Sequence, residues 1–449
     1  MSHYNACPRY LETFNSWLTS LPKIWVLQRL RYVSTYQNSN VDKKNYPGQP
    51  VVQLCNYTDV YYNEFVRSGI EFMFATASPR EIKKFGLQAG DLIITKDSED
   101  PRDIGIPTLV TEDLPGVICG YHLTVIRTNS LLKARFLHRL LQSHITKAHF
   151  FIESPGVTRF GLNQQAIGNV PVILPTESEM QVIVDYLDCE TARIDALIEK
   201  KTRFIELLKE KRQALVTHAV TKGLDANAPM KDSGVQWIGE VPAHWNETRL
   251  RFIVKERGGK TPSKDNGRFW DGNIPWVSPK DMKVDVLESS IDKITELAVQ
   301  QCGMTMLEAR TVLIVVRGMI LAHSFPVAET SVPVTINQDM KALTPREDVE
   351  ATFLRLLLQS LKQVVVDILV AEAAHGTRVL RTDIWKQLPV FLPPQSEQKA
   401  IIQRIEGDAR KIDMLVKASM RSIQLLKERR SALVTAAVTG QIDLREDAT

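Results

Sequence analysis

The segment Arg257-Gly-Gly-Lys-Thr261 comes nearest to a catalytic signature in this chain. A Gly-x-x-x-x-Gly-Lys-Ser/Thr loop cradles phosphates with backbone N–H groups and a lysine. Its first glycine would fall at position 254, where Val254 stands, so the pattern fails. No Gly-x-Gly-x-x-Gly follows a strand-like run, no nucleophile elbow is present, and no His-Glu-x-x-His places two metal ligands on one helix face. Asn-Pro-Pro-Tyr and Asp-Pro-Pro-Tyr, which hold a target adenine in amino-methyltransferases, are absent as well. The nine histidines lack ligand spacing. Cys7, Cys55, Cys119, Cys189 and Cys302 lack CxxC spacing and read as reduced thiols rather than a disulfide or zinc set. Together these absences favour a binding protein.

The totals agree with that. A chain of 449 residues with 44% hydrophobic content has room for two or three cores. The net charge of +4 is compatible with nucleic acid but too weak to argue for it alone. The opening MSHYNACPRYLETFNSW has no apolar core flanked by basic residues, and the run Val312 to Leu321 is short and interrupted by Arg317. A cytoplasmic protein with no membrane partner is expected.

The element that organises the chain is a repeat. Leu207 to Thr221, LLKEKRQALVTHAVT, returns as LLKERRSALVTAAVT from Leu425 to Thr439, an offset of 218 residues. The match runs without a gap from Leu174–Asp225 to Leu392–Asp443, with roughly 23 of 52 positions identical. His218 becomes Ala436 in the second copy, which favours a tolerated seam residue over a ligand. Each half also opens alike: Trp17 to Trp25 then Arg29-Leu-Arg-Tyr-Val33, and Trp237 to Trp245 then Arg249-Leu-Arg-Phe-Ile253. Paired tryptophans flanking a proline suggest a turn pinned to a core.

Between these landmarks lie short β-branched runs. They are Val51–Leu54, Asp91–Thr95, Gly116–Cys119 and His122–Ile126 in the first half, and Ile274–Val277, Thr311–Val316, Val332–Ile336 and Met340–Leu343 in the second. Such runs, broken by Gly, Pro, Asn and Asp, predict a mostly antiparallel twisted sheet or partial barrel. A helix follows in each, Phe136–Ser143 matching Phe353–Ser360. Next come a loop (Gly156-Val-Thr-Arg159 or Gly376-Thr-Arg378) and a last strand, Val170–Pro175 or Leu388–Pro393.

Two long helices are expected after those prolines. Thr176 and Glu179 have capping-box spacing, and Ser396 sits ahead of the second periodic run. The seam reads Met180, Ile183, Leu187, Ile194, Leu197, Phe204, Leu208 and Leu215, then Ile401, Ile405, Ile412, Leu415, Leu426 and Leu433, with polar breaks in each. About 42 residues give a rod on the order of 60 Å. One apolar stripe leaves each helix unstable alone, so the two should pair, antiparallel in a pseudo-twofold arrangement. The second rod should then end near the N-terminus, and a circular permutant joining the termini should fold.

This combination resembles the specificity subunits of type I restriction-modification systems. The resemblance rests on the two LLKE[KR]R-x-ALVT-x-AVT helices, on Trp237-Ile-Gly-Glu-Val-Pro-x-x-Trp245, and on Gly259-Lys-Thr-Pro-Ser263 followed by Asp271-Gly-Asn-Ile-Pro-Trp276. It covers nearly the whole chain. The first half departs from it, since Lys43 to Val60 has no Gly-x-Thr-Pro. The resemblance implies an α+β protein with two β-rich target-recognition domains separated by two long helices forming an antiparallel coiled coil, an internal duplication with pseudo-twofold symmetry. The expected boundaries are 1–175 and 237–393 for the recognition domains, 176–222 and 394–440 for the helices, 223–236 for the linker and 441–449 for a tail.

The implied function is non-catalytic. Each domain would read one half of a bipartite, gapped site in double-stranded DNA, while the coiled coil sets the spacing and docks two modification (methyltransferase) subunits. Two restriction/translocase subunits would complete the complex. The chain itself would hold no cofactor, with S-adenosylmethionine, ATP and Mg belonging to partner subunits. Arg, Lys, Asn, Gln and Asp read base edges. The candidate readers are Gln53, Asn56, Tyr57, Lys96, Asp97 and Arg159 in the first half, and Lys260, Thr261, Lys264, Ser278, Lys280, Arg317 and Arg378 in the second. Thr158-Arg159 and Thr377-Arg378 recur, which suits shared scaffold or backbone contact. The recurring helix charges Lys209, Glu210, Arg212, Lys427, Glu428 and Arg430 are candidates for partner docking. Two other readings stay open: a methyltransferase or nuclease carrying its own reader, and a coiled-coil scaffold.

Overall fold

The computed structural model describes residues 10–15, 18–22, 24–373 and 376–444. Cys7 and Trp17 lie outside the described residues. The chain divides into two compact units, Met1–Thr202 with Met420–Thr449, and Arg203–Ser419, so each long helix contributes one half to each unit.

In the first unit a five-stranded sheet is ordered Thr35–Asn38, Leu123–Arg127, Leu92–Thr95, Pro107–Val110, Phe65–Val66. The central Leu92-Ile-Ile-Thr95 is buried along its whole length, as its unbroken apolar run requires. Val51–Cys55 lies between Val117–Cys119 and Met73–Thr76 in a smaller sheet. The helix Leu131–Gln142 covers the larger sheet with Phe136, Leu137, Leu140 and Leu141.

The second unit repeats this plan. Its five strands are Val254–Gly258, Met340–Pro345, Val312–Val315, Val327–Thr330 and Val286–Leu287, in that spatial order. Trp270–Val277 lies between Lys293–Ile294 and Thr335–Ile336, and the helix Ala351–Ser360 buries Phe353, Leu354, Leu357 and Leu358. The sheets are mostly antiparallel, as expected; the edge strands Phe65–Val66 and Val286–Leu287 pair parallel, as do Val117–Cys119 and Thr335–Ile336 in the smaller sheets. The expected strand Val332–Ile336 shortens to Thr335–Ile336. Pro333 has no N–H to give a ladder, and Val334 makes a single bridge to Leu307.

The repeated opening has a structural purpose. Trp25 and Trp245 are buried, and their indole Nε1 atoms donate to Glu179 Oε2 and Glu397 Oε1, each at 3.2 Å. Those glutamates stand 218 residues apart in the first turns of the long helices, Glu177–Lys222 and Gln395–Val438. Glu179 also closes the expected capping box with Thr176. Ser396 does not precede its helix but lies inside the first turn, because Pro394 carbonyl accepts from Glu397 and Gln398 N–H. Glu397 is thereby free to hold both Trp245 and His244.

In the first unit Met180, Ile183, Val184 and Leu187 pack with Val434, Ala437 and Val438; in the second, Val216, Ala219 and Val220 pack with Ile401 and Ile405. The start of one helix thus meets the end of the other, which is the antiparallel sense. The continuous seam expected from sequence does not hold: Leu197, Phe204, Leu215 and Leu415 are 42%, 43%, 36% and 48% exposed. A strict heptad drifts about 20° per repeat on a 3.6-residue helix, so the a and d series rotates off the buried face. The second helix ends against the Leu18–Pro22 strand. A Cβ on Gly440 would sit 2.6 Å from Pro22 Cγ, and Leu444 joins the core of Leu21 and Trp25.

Candidate nucleic-acid interface

Backbone hydrogen bonds fix which loops converge in each unit. In the first, Lys96 N donates to His122 carbonyl at 2.9 Å, Leu162 N to Lys96 carbonyl at 2.8 Å, and Gly120 N to Cys55 carbonyl at 2.8 Å. In the second, Val316 N donates to Asp339 carbonyl at 2.8 Å, Leu380 N to Val316 carbonyl at 2.9 Å, and Asn337 N to Val277 carbonyl at 3.0 Å. These bonds put Lys96, Asp97, Tyr121 and His122 at the positions of Val316, Arg317, Gln338 and Asp339. The scaffold is shared and the side chains on it differ throughout.

In the first unit Asp97 Oδ2 and Arg159 Nη2 lie 2.5 and 3.1 Å from His122 Nδ1. Lys96 Nζ sits 4.7 Å from the centroid of the Tyr121 ring. Tyr57 is half-buried, which pushes its hydroxyl pKa up against hydrogen bonds to Ser98 and Thr95. Four of the six expected residues therefore meet: Tyr57, Lys96, Asp97 and Arg159. Asp97 and Arg159 converge on His122, which is absent from the sequence-based candidates. It holds a left-handed backbone, φ +72°, in the turn between Val117–Cys119 and Leu123–Arg127. A Gly-Tyr-His turn between two apolar runs was the available signal.

Of the remaining two expected readers, Asn56 has its side chain engaged elsewhere. Asn56 is buried, its side chain closes a capping box with Asp59 at the start of the helix Tyr57–Tyr61, and its Nδ2 donates to Leu54 carbonyl at 3.2 Å. Gln53 stays in the ladder of the smaller sheet, its N–H bonded to Gly116 carbonyl.

In the second unit Thr261, Lys264, Ser278 and Lys280 line one open cleft with Trp270, Trp276 and Asp339. The two indoles meet edge-on, with centroids 5.2 Å apart. Lys264 and Lys280 are exposed, Lys280 lying 3.5 Å from Asp292. Thr261 Oγ1 hydrogen-bonds Gln338. Ser278 is buried, and both its N–H and hydroxyl donate to Asp281 Oδ2, the counterpart of the Asn56–Asp59 cap. Lys260 Nζ donates to the carbonyls of Cys302 and Gly303 at 3.1 and 2.9 Å, and its own carbonyl accepts from Trp276 Nε1. Its ammonium braces the loop. Arg317 is exposed, bridged to Val379 and bonded through its N–H to Asp339 carbonyl. Arg378 pairs with Glu372 at 3.0 Å.

The recurrence of Thr-Arg in the two loops is a coincidence of sequence. Leu162 corresponds to Leu380, so Arg159 corresponds to Thr377 and Phe160 to Arg378.

Of the helix charges, Lys209, Glu210, Lys427 and Glu428 are exposed, beside Leu207 and Leu425 at 46% and 48% exposure. Arg212 and Arg430 instead turn to their own units, Arg212 to Asp285 at 2.9 Å and Arg430 to Glu64 and Asp195.

A family model described as type I restriction modification DNA specificity domain matches residues 242–414, the segment that holds the second cleft. Over that segment the chain resembles the specificity subunits of type I restriction-modification systems. It is 36% identical over 215 residues to the EcoR124I/EcoR124II specificity subunit of Escherichia coli, covering 46% of this chain and 52% of that one. The match to the MjaIX specificity subunit of Methanocaldococcus jannaschii, at 27% over 169 residues, covers 36% and 38%. The chain thus spans about half, or less, of these two relatives. A putative MjaX specificity subunit from the same archaeon aligns over 95% of both chains at 21% identity. Among solved structures, a chain from work on complex assembly and conformational transition of the type I R-M system gives a TM-score of 0.71 at 16% identity, covering 94% of this chain and 99% of that one. The HsdS subunit from Thermoanaerobacter tengcongensis gives 0.51 at 18%, covering 94% and 98%. At these identities the structures speak for the fold alone.

Proposed function

We propose that this chain is a non-catalytic DNA-specificity subunit whose two units each read one half of a bipartite site in double-stranded DNA. The observation that carries this is the pairing of one scaffold with two different sets of side chains. Lys96, Asp97, Tyr121 and His122 stand where Val316, Arg317, Gln338 and Asp339 stand in the repeat. A donor and acceptor pattern is what distinguishes base pairs in the major groove, so different patterns on one frame read different sequences. Exposed Lys264 and Lys280 supply charge for phosphate contact, which positions without specifying.

The repeated exposed helix residues Leu207, Lys209, Glu210 and Leu425, Lys427, Glu428 form the docking surface for two modification subunits. Those subunits bring S-adenosylmethionine, and restriction/translocase subunits bring ATP and Mg. The test is an adenine-methylation map of the source cells with and without this gene. Loss of one gapped motif on deletion supports the reading. An unchanged map in cells expressing the chain and its modification partner refutes it and favours a scaffold, while methyl transfer by the purified chain alone would favour an enzyme.

A further inference from the structure

The two arginines expected to face partners instead form a repeated junction inside each unit. In the first unit Glu64 directly precedes the edge strand Phe65–Val66. Its Oε1 accepts from Arg139 and, at 3.1 Å, from Gln142 Nε2; its Oε2 accepts from Arg430 Nη2 at 2.5 Å. Arg430 also grips Asp195 at 3.0 and 3.1 Å, and Arg139 grips Asp188 at 2.6 and 3.1 Å. One carboxylate of the reader is thus tied to both long helices.

In the second unit Asp285 directly precedes the edge strand Val286–Leu287. It accepts from Arg212 Nη2 at 2.9 Å and Gln359 Nε2 at 2.8 Å, with Arg355 at 4.0 Å. Arg212 and Arg430 are 218 residues apart, and Gln142 and Gln359 hold matching places in the sheet-covering helices. Burial would push both acids up, but the facing arginines and glutamines outweigh it and hold Glu64 and Asp285 below their usual ranges.

Stability alone is a poor account of this repetition. Arg212 and Asp285 remain 42% and 39% exposed, and ion pairs of that kind contribute little, yet they repeat the more buried Arg430 and Glu64, at 19% and 26%. What a forked, multi-partner pair does supply is direction, because guanidinium and carboxylate meet in a narrow range of geometries. The edge strand it holds is parallel to Pro107–Val110 or Val327–Thr330, which pairs with the central strand Leu92–Thr95 or Val312–Val315, and that strand leads into Lys96-Asp97 or Val316-Arg317. A tilt at the edge therefore reaches the reading loops through two hydrogen-bonded ladders.

We infer that Arg430–Glu64 and Arg212–Asp285 are positioning pairs that set the angle of each reader on the long helices, and so the fidelity of its own half-site. This rests on the specificity reading above. The test uses the full chain with its modification subunits and S-adenosylmethionine, comparing kcat/KM for methylation of the cognate duplex with duplexes altered in one half-site. Arg212→Ala is expected to cut discrimination at the second half-site roughly tenfold while the first is unchanged, and Arg430→Ala to do the reverse. Arg212→Lys should restore part, and Arg212→Asp combined with Asp285→Arg should restore more. Equal discrimination at both halves in every variant, with thermal stability alone reduced, would overturn the inference. Should an alanine variant fail to fold, the lysine and charge-exchanged variants decide by the same half-site ratio. If the wild-type complex shows no two-part preference, the specificity reading fails and takes the inference with it.

Discussion

Substituting Gly259 by Ala should disable the second reader while sparing the first. A Cβ there would lie 2.1 Å from Asn337 O, 2.2 Å from Ile336 O and 2.5 Å from Ile336 C. Ordinary contact begins near 3.4 Å, so backbone on one side must retreat by about 1.3 Å. The retreat breaks the 3.0 Å bond from Lys260 N to Ile336 O and strains the Trp276 bond to Lys260 carbonyl. Overpacking costs about 1–3 kcal/mol and a lost hydrogen bond about 1 kcal/mol, giving roughly 2–4 kcal/mol. For a unit of this size that lowers its melting temperature by roughly 4–16 °C. Thr261, Gln338 and Asp339 all lie within two residues of the displaced atoms. Methylation assays on half-site-altered duplexes should therefore show loss of discrimination at the second half-site alone. Full discrimination there by a Gly259→Ala protein would refute the placement of this cleft.

Four further outcomes follow from the same geometry. Burial pushes the His138 imidazole down to about 4, so the unfolded chain takes its proton first; this stability is complete above about pH 6.5 and is lost between there and about 4, on the order of 3 kcal/mol. Arg355 holds the matching place in the second unit, and His138→Leu should flatten the first unit's pH–stability curve over that window in denaturant titrations. The lowered carboxyls Glu64 and Asp285 add stability that is present above the ordinary carboxylate range and lost as pH falls through their depressed folded values, so Glu64→Gln should shrink the acid-side loss. Cys55 and Cys119 are buried partners across adjacent strands with thiols pushed up by burial, whereas Cys189 is exposed. Maleimide should label Cys189 in the native chain and reach Cys55 and Cys119 on unfolding, as read by mass spectrometry. Lys280→Ala should weaken DNA binding by the assembled complex uniformly across sequences and reduce the salt slope by about one.

Much of this architecture was legible because periodic and repeated features are local. The buried strand Leu92-Ile-Ile-Thr95, the covering helices and the Thr176–Glu179 box each follow from a few neighbouring residues. The reading loops are not local: His122 joins Asp97 and Arg159 through turns that sequence spacing does not display. The Gly-x-Thr-Pro of the second half is tied to a contact made far along the chain, since a Cβ on Gly259 would meet Asn337 O at 2.1 Å; in the first half the position matching Asn337 is Gly120. The repeat marks Arg212 and Arg430 as docking candidates because it shows which charges recur, not which acid they meet across the fold. Asn56 and Ser278 show a related limit of local sequence, since a polar residue after a strand serves equally as a cap or as a reader.

The most direct test of the account is to exchange residues 237–393 for the corresponding segment of another specificity subunit and map adenine methylation in cells. The account predicts that one half of the gapped motif changes to the donor's sequence while the other half persists. A map in which both halves change, or neither does while the complex assembles, would contradict two independent readers on one repeated scaffold.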